Sequence, residues 1–182
     1  MTKKQQTLLL GGIATVLVLF GIATRLLPHP ANLTAVGAVG LFAGAVMPRK
    51  WGIVLPVSVM AFSDIFLGFH NIMIFTWGSM MLAAGIGYLL RTKIRPMYLV
   101  FGSVAASVQF FLITNWAVWM FTPLYPKGLS GLFASYVAGI PFFRNMLLGD
   151  IGYTAVLFAV YALARVAIHQ YELRQSPYLK NI

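Results

Sequence analysis

Six long apolar stretches, separated by short breaks rich in proline and basic residues, dominate the pattern of hydrophobic and polar positions. A helix needs about 20 apolar residues to cross the roughly 30 Å core of a bilayer. Each stretch reaches or approaches that length, and the second is the shortest. The pattern therefore predicts an all-α integral membrane six-helix bundle. Its spans lie at 7–27, 31–47, 51–69, 71–90, 97–121 and 145–168.

One further apolar segment, 128–143, is short, rich in glycine and closed by Pro141. Its pattern allows a seventh span, a re-entrant helix or an interfacial helix. Loops on the cytoplasmic side of membrane proteins carry an excess of Lys and Arg. Six spans with the N-terminus inside place 10 basic residues on the inner side and 3 on the outer side, whereas seven spans give 8 and 5. We therefore expect six spans, cytoplasmic N and C termini, and a re-entrant or interfacial segment 128–143.

The first stretch also has features of a cleavable signal peptide, because Lys3 and Lys4 precede an apolar run and Gly21-Ile-Ala23 is a passable cleavage site. The run is long, however, and its removal would leave an odd number of spans. We therefore expect it to be retained. The whole chain, 1–182, then forms a single transmembrane domain in the inner (cytoplasmic) membrane of a bacterium.

Composition excludes several other classes of protein. The chain is 60% hydrophobic and 9% charged, more apolar than a soluble domain of 182 residues could bury. Its net charge of +10 is spread over loops and tails, which reports orientation rather than nucleic-acid binding. Without cysteine it has no disulfide and no thiolate metal site. It lacks the phosphate-binding loop of ATPases and the common hydrolase motifs, so we expect no enzymatic activity.

Polar residues from several predicted spans converge on one level, near the outer side of the membrane. Asp64 and Asp150 each lie about 8 Å below that boundary, at nearly the depth of Asn115. An ionisable group costs about 2.5–3.5 kcal/mol in the bilayer centre, so we expect both acids to face the bundle interior. They could pair with Arg25 and Arg144 and join helices, or they could line a cavity open to the outside. Their shared depth favours the cavity.

Two aromatic residues flank Asn115, whose side-chain amide belongs to this polar layer. Trp119 lies one helical turn from Asn115, and Phe111 lies one turn the other way. Such an arrangement suits a flat, partly polar ligand. Two histidines, His29 and His70, could ligate a metal, but surface histidines near helix ends are commoner. We predict no catalytic residue, metal or cofactor. The predicted substrate-binding residues are Asn32, Asp64, His70, Asn71, Asn115, Trp119, Arg144, Asn145 and Asp150.

Small residues recur four apart on the inner halves of three spans. Thr7, Gly11 and Thr15 form one stripe, and pairs at positions 40/44 and 155/159 form two others. This spacing allows close approach of helix backbones, either within the bundle or against a partner. We predict that the Thr7, Gly11, Thr15 stripe docks a separate membrane subunit.

Four motifs carry a resemblance over nearly the whole chain: PHPANLTAVG at 28–37, SDIFLGFH at 63–70, TNWAVW at 114–119 and IPFFRNMLLGD at 140–150. Together they resemble an uncharacterised bacterial family labelled as transport proteins. In size, span number and topology that family is similar to the substrate-binding S components of energy-coupling-factor (ECF) transporters. The resemblance implies capture of a vitamin or other nutrient near the outer face, and docking onto a transmembrane coupling subunit driven by ATPases.

Three functions remain open from the sequence. The first is an S component that takes up a small, water-soluble nutrient, with the lipid bilayer and a coupling subunit with ATPases as partners. The second is a gradient-driven transporter in which Asp64 or Asp150 carries protons. The third is a non-transporting scaffold subunit whose polar layer only joins helices.

Overall fold

The structure is a computed structural model that describes residues 3–175, with side chains for 4–171. Within that range the regular secondary structure is entirely helical, which confirms the predicted all-α class. Lys180, which was counted toward the inner side, lies outside the described residues. The helices are α1 (Lys3–Leu26), α2 (Val36–Val46), α3 (Arg49–Leu67), α4 (Met73–Leu89), α5 (Pro96–Phe121) and α6 (Leu129–Gln175).

Four of the helices, α1, α3, α5 and α6, are long and apolar enough to cross a membrane. With 11 residues, α2 is only about 16 Å long, and it covers only part of the predicted segment 31–47. The helix begins at Val36 rather than at residue 31, because the preceding turn cannot be helical. Asn32 adopts a φ of 63°, in the left-handed region that a right-handed helix does not use. The fourth helix, with 17 residues, is about 26 Å long.

The predicted break before residue 145 is wrong, because the helix continues through it. Residues 129–175 form one helix of 47 residues, so 129–143 is the first part of α6 and not a separate re-entrant or interfacial helix. Pro141 lies inside this helix. Proline removes one backbone donor, but apolar helices packed against neighbours tolerate it. The chain reverses direction earlier, between Phe121 and Leu129, where Pro123, Pro126 and Gly128 (φ 138°) lie.

The shortest helix, α2, lies at the centre of the bundle and contacts each of the other five. All its residues from Val36 to Ala45 are buried. Its sequence is apolar around the whole circumference, as expected for a helix with no exposed face. The glycine pair at positions 40 and 44 packs inside the bundle against α4, where a Cβ on Gly44 would lie 1.9 Å from the Ala84 carbonyl oxygen.

The charged groups at the two ends of α2 match the helix dipole. At its C-terminal end, the Arg91 guanidinium donates from Nε to the Gly44 carbonyl (3.0 Å) and from Nη2 to the Met47 carbonyl. A cation at this position satisfies carbonyls that have no partner within the helix and interacts favourably with the dipole. At the N-terminal end, the Thr24 hydroxyl accepts a hydrogen bond from the Ala35 amide (3.1 Å). The Asp150 carboxylate lies beside the first turn, against Gly37.

Two apolar clusters form the core around α2. One, towards the Arg91 end, includes Val39, Ala43, Leu55 and Phe158. The other, towards the Asp150 end, includes Val36, Val59, Met80 and Met146. The second cluster lies beneath the polar residues described next.

Candidate ligand-binding site

A cavity of about 440 Å³ lies at the end of the bundle where α3 and α5 end and α4 begins. Its volume is in the range of pockets that hold small molecules. The walls come from the turns before α2 and α4, from α4, α5 and the turn that follows it, and from α6. The lining residues are Asn32, His70, Ile72, Thr76, Phe110, Phe111, Thr114, Asn115, Val118, Leu124, Tyr125, Ala138, Gly139, Phe142, Phe143 and Met146.

A second cavity of about 180 Å³ adjoins the first. Five residues line both, so the two volumes meet along a common wall; these are Asn32, His70, Thr76, Phe110 and Met146. Arg25 lines the smaller cavity but not the larger one. A ligand in the larger cavity could therefore extend towards the guanidinium of Arg25.

Close packing of α6 on α5 builds one wall of the larger cavity. Ser135 donates a hydrogen bond to the Asn115 carbonyl (2.8 Å), and Tyr136 donates to the Leu112 carbonyl (3.1 Å). Gly139 lets the helices approach at Asn115, because a Cβ there would lie 2.4 Å from the Asn115 Oδ1. The Phe111 ring packs against Phe143, with centroids 4.9 Å apart. The segment 129–143, ambiguous in sequence, thus forms part of this cavity wall.

Three polar side chains on the wall donate hydrogen bonds to carbonyls of their own helix or its first turn. Thr114 donates to the Phe110 carbonyl (2.8 Å), Thr76 to the Met73 carbonyl (2.9 Å), and Asn115 Nδ2 to the Phe111 carbonyl (2.8 Å). A threonine hydroxyl that donates its proton retains lone pairs that can accept a hydrogen bond. The two threonines therefore offer acceptors to a ligand.

Asp64 belongs to a hydrogen-bonded network behind the smaller cavity and lines neither cavity. It is 1% exposed, and its Oδ1 lies 2.8 Å from Arg25 Nη2. Trp77 Nε1 donates to its Oδ2 (2.7 Å), and Arg25 Nη1 donates to the Ser63 hydroxyl (2.6 Å). The network joins α1, α3 and α4. It confirms that Asp64 faces the interior and has an arginine partner.

Asp150 is also 1% exposed and faces the interior, as expected, but it lies deeper than the cavities and lines neither. Ser107 donates to its Oδ2 (2.7 Å), and the Ala38 amide in the first turn of α2 also interacts with the carboxylate. Within the described chain, Oδ1 has no hydrogen bond of normal geometry. Its surroundings are those of an anion beside a helix N-terminus, which favours negative charge. Arg144 is exposed and does not pair with it.

The remaining predicted site residues lie apart from the cavities. Trp119 donates from Nε1 to the Pro126 carbonyl (3.1 Å) in the turn after α5. Asn145 donates to the Ala31 carbonyl (3.0 Å) and holds α6 to the turn before α2. Asn71 is exposed in the turn before α4. Of the nine predicted residues, the structure brings Asn32, His70 and Asn115 together on the wall of one cavity.

The stripe predicted to dock a partner lies on the outside of the bundle. Gly11 and Thr15 border a groove of about 410 Å³ between α1 and α3, together with Trp51 and Phe62. A Cβ on Gly11 would meet nothing within 4 Å. The third member, Thr7, is exposed at the same face of α1 but does not line the groove.

Sequence reasoning did not assign roles to Thr76, Ser107 or Gly139. Ser107 is the closest partner of Asp150, and a signal for it was present, because Ser103 and Ser107 are two small polar residues one turn apart within an apolar helix. Thr76 carried a weaker signal, since it is one hydroxyl among apolar residues. Gly139 carried none, because only the approach of two helices gives it a role.

Comparison with known proteins places the chain in a family without assigning it an activity. No curated protein and no solved structure matches it. A family profile described as "Family of unknown function (DUF6580)" matches residues 3–173, which is nearly the whole chain. The chain belongs to the DUF6580 family.

Proposed function

We propose that this protein is the substrate-capture subunit of a membrane uptake system for a small, water-soluble nutrient such as a vitamin. The joined cavities carry the proposal. They enclose about 440 and 180 Å³ at one end of the bundle, and they combine aromatic walls with Asn32, His70 and Asn115. Concave, mostly apolar pockets with a few convergent polar groups are typical of small-molecule sites.

The proposed location is the inner (cytoplasmic) membrane of a bacterium, with the cavity end facing outward. Apolar side chains on the bundle surface support insertion into lipid: Ile74, Leu89 and Leu129 are 76%, 75% and 81% exposed. The end opposite the cavity carries Arg49, Arg91 and other basic residues, as expected of a cytoplasmic side.

The proposed energy source is a partner. The chain carries no phosphate-binding loop of its own. The proposal of a transmembrane coupling subunit with ATPases rests on the sequence resemblance to a family that is similar to S components of ECF transporters in size and predicted span number. The groove beside Gly11 and Thr15 is where we expect that subunit to dock, because small residues permit close packing between helices in lipid.

A second candidate function is gradient-driven transport with Asp150 as the proton carrier. One observation favours it: Asp150 is 1% exposed, and no cationic side chain among those described forms an ion pair with it. Ionisable residues of this kind within a membrane often mark proton pathways. The nearby N-terminus of α2 offers a structural role for the same carboxylate.

Two measurements on one preparation test the first proposal. Protein purified gently from its own membrane should retain a small molecule in native mass spectrometry and should co-purify with ATPase subunits. Co-purification without any retained ligand would contradict the capture role. A retained ligand with proton-dependent uptake and no ATPase would favour the gradient-driven transporter, and neither ligand nor uptake would favour the scaffold.

Variants then locate the site. Asn115→Ala should lower ligand affinity several-fold or more, because an unpaired buried polar contact costs about 1–3 kcal/mol. Asn71→Ala is the matched control, since Asn71 is an exposed asparagine near the same end but outside the cavities. Equal affinity in the two variants would place the binding site elsewhere.

A further inference from the structure

We infer that the ligand of the joined cavities is a flat aromatic molecule that carries an anionic group, such as a carboxylate. Its ring would occupy the larger cavity, and its anionic group would enter the smaller one, at Arg25 and His70. This inference rests on the proposed capture function and names the chemical class of its substrate.

The shape and lining of the larger cavity argue for the ring. Five aromatic side chains line it: Phe110, Phe111, Tyr125, Phe142 and Phe143. Four of them come from the wall that α5 and α6 form, and Tyr125 comes from the turn after α5. Aromatic pairs favour stacked or edge-to-face geometry, and a planar ring can adopt either against such walls.

The charges around the cavities argue for the anion. Among the described residues, neither cavity is lined by an aspartate or glutamate, whereas Arg25 and His70 both line the smaller one. The Arg25 side chain is 15% exposed and is therefore accessible from that cavity. A cationic ligand would find no counter-charge on these walls.

The ion pair with Asp64 leaves some N–H donors of Arg25 available to a ligand. A guanidinium has five N–H donors. Nη2 lies 2.8 Å from Asp64 Oδ1 in the ion pair, and Nη1 bonds to the Ser63 hydroxyl and to the Met60 sulfur (3.1 Å). In the described chain, Nε and the second Nη2 hydrogen have no partner. Asp64 Oδ2, by contrast, accepts from Trp77, and Oδ1 is buried against Arg25 in the ion pair, with no hydrogen bond of normal geometry from the described residues. The pair therefore presents donors, and not a free carboxylate, to the cavity.

The test uses matched probes that differ only in charge. The probes are derivatives of benzene, pyridine and indole. Each ring carries in turn a carboxylate, a carboxamide or a cationic aminomethyl group. Binding would be followed by isothermal titration calorimetry on detergent-purified protein freed of retained ligand. In at least one ring series, the carboxylate should bind roughly ten- to a hundred-fold more tightly than the carboxamide, and the cation should bind most weakly.

Two variants separate the charge of Arg25 from the integrity of the fold. Arg25→Gln/Asp64→Asn removes both charges of the pair and leaves no unpaired buried ion. It should lose the preference for the carboxylate while retaining carboxamide affinity within about twofold. Asp64→Asn alone leaves Arg25 uncompensated and should preserve or increase the preference. Thermal melting of both variants in detergent checks that they remain folded.

The inference is overturned if carboxamides bind as tightly as carboxylates, or if the double variant retains the preference. Absence of binding by every probe also overturns it. The proposed capture function is judged separately, by the molecule that the native protein retains in mass spectrometry. A retained non-aromatic or cationic ligand would support the capture function and refute the assigned ligand class. A protein with no retained ligand would refute both proposals.

Discussion

Substituting Gly44 by alanine should strongly destabilise the bundle, because α2 and α4 touch backbone to backbone at this position. A Cβ on Gly44 would lie 1.9 Å from the Ala84 carbonyl oxygen and 2.9 Å from the Tyr88 nitrogen. An ordinary van der Waals contact begins near 3.4 Å, so the first distance is about 1.5 Å too short. Neither atom belongs to a side chain that can rotate away, and the helices must therefore separate.

The expected loss follows from two opposing terms. Overpacking a well-packed interior costs about 1–3 kcal/mol, and contact with backbone on a fully buried helix points to the upper end of that range. Alanine in place of a helical glycine recovers up to about 1 kcal/mol. We therefore expect a net loss of about 2 kcal/mol or more in the free energy of unfolding. Movement of α2 would also disturb the hydrogen bond from Arg91 to the Gly44 carbonyl.

Gly85→Ala is the matched control. Gly85 lies on the same helix pair, but it is exposed, and a Cβ there meets nothing within 4 Å. This variant should be unchanged or more stable by up to about 1 kcal/mol. Reversible unfolding in mixed detergent micelles, followed by circular dichroism, measures both. Wild-type stability of Gly44→Ala, or equal destabilisation of the two variants, would refute the close packing of α2 on α4.

Three further predictions follow from other parts of the molecule. Asp150→Ala should lower the free energy of unfolding by about 1–3 kcal/mol in the same assay, because the Ser107 hydroxyl loses its acceptor and α2 loses the anion at its N-terminus. A more stable variant would show that burying the carboxylate costs more free energy than its contacts contribute. Gly11→Leu should leave folding and ligand binding intact, since its Cβ is unobstructed, and should abolish uptake by cells; unchanged uptake would remove the α1–α3 groove from the docking surface. In this cysteine-free chain, Lys127→Cys should react with an impermeant thiol reagent from outside and Lys3→Cys only from the cytoplasm; the reverse labelling would invert the proposed topology.

Sequence patterns located most helix boundaries because the breaks are chemically explicit. The predicted spans 51–69, 71–90 and 97–121 correspond to α3, α4 and α5 within about two residues at each end. Proline proved to be an ambiguous signal. Pro96 begins a helix, as expected at a first turn. Pro141 lies inside a helix, because packing against neighbouring helices keeps an apolar helix intact although one backbone hydrogen bond is missing.

The sequence grouped three of the cavity residues near one end of the bundle, but it predicted neither the place of Asp150 below the cavities nor the partners of the two acids. Asn32, His70 and Asn115 share a cavity, and sequence placed them on the same level. The same reasoning offered Arg25 and Arg144 as possible partners for the two acids. In the structure Arg25 pairs with Asp64, while Arg144 is exposed. Depth follows from counting residues along a helix, whereas pairing depends on the rotation and separation of helices.

By itself the sequence determined that this protein is all-helical, that its long helices are apolar enough for a membrane, and that its polar groups gather near one end. These properties follow from composition and local periodicity, which each segment carries on its own. Only the tertiary structure decided that α2 is a short central helix with Asp150 at one end and Arg91 at the other. An apolar stretch has the same pattern whether lipid or other helices cover it, so its burial depends on contacts between distant segments.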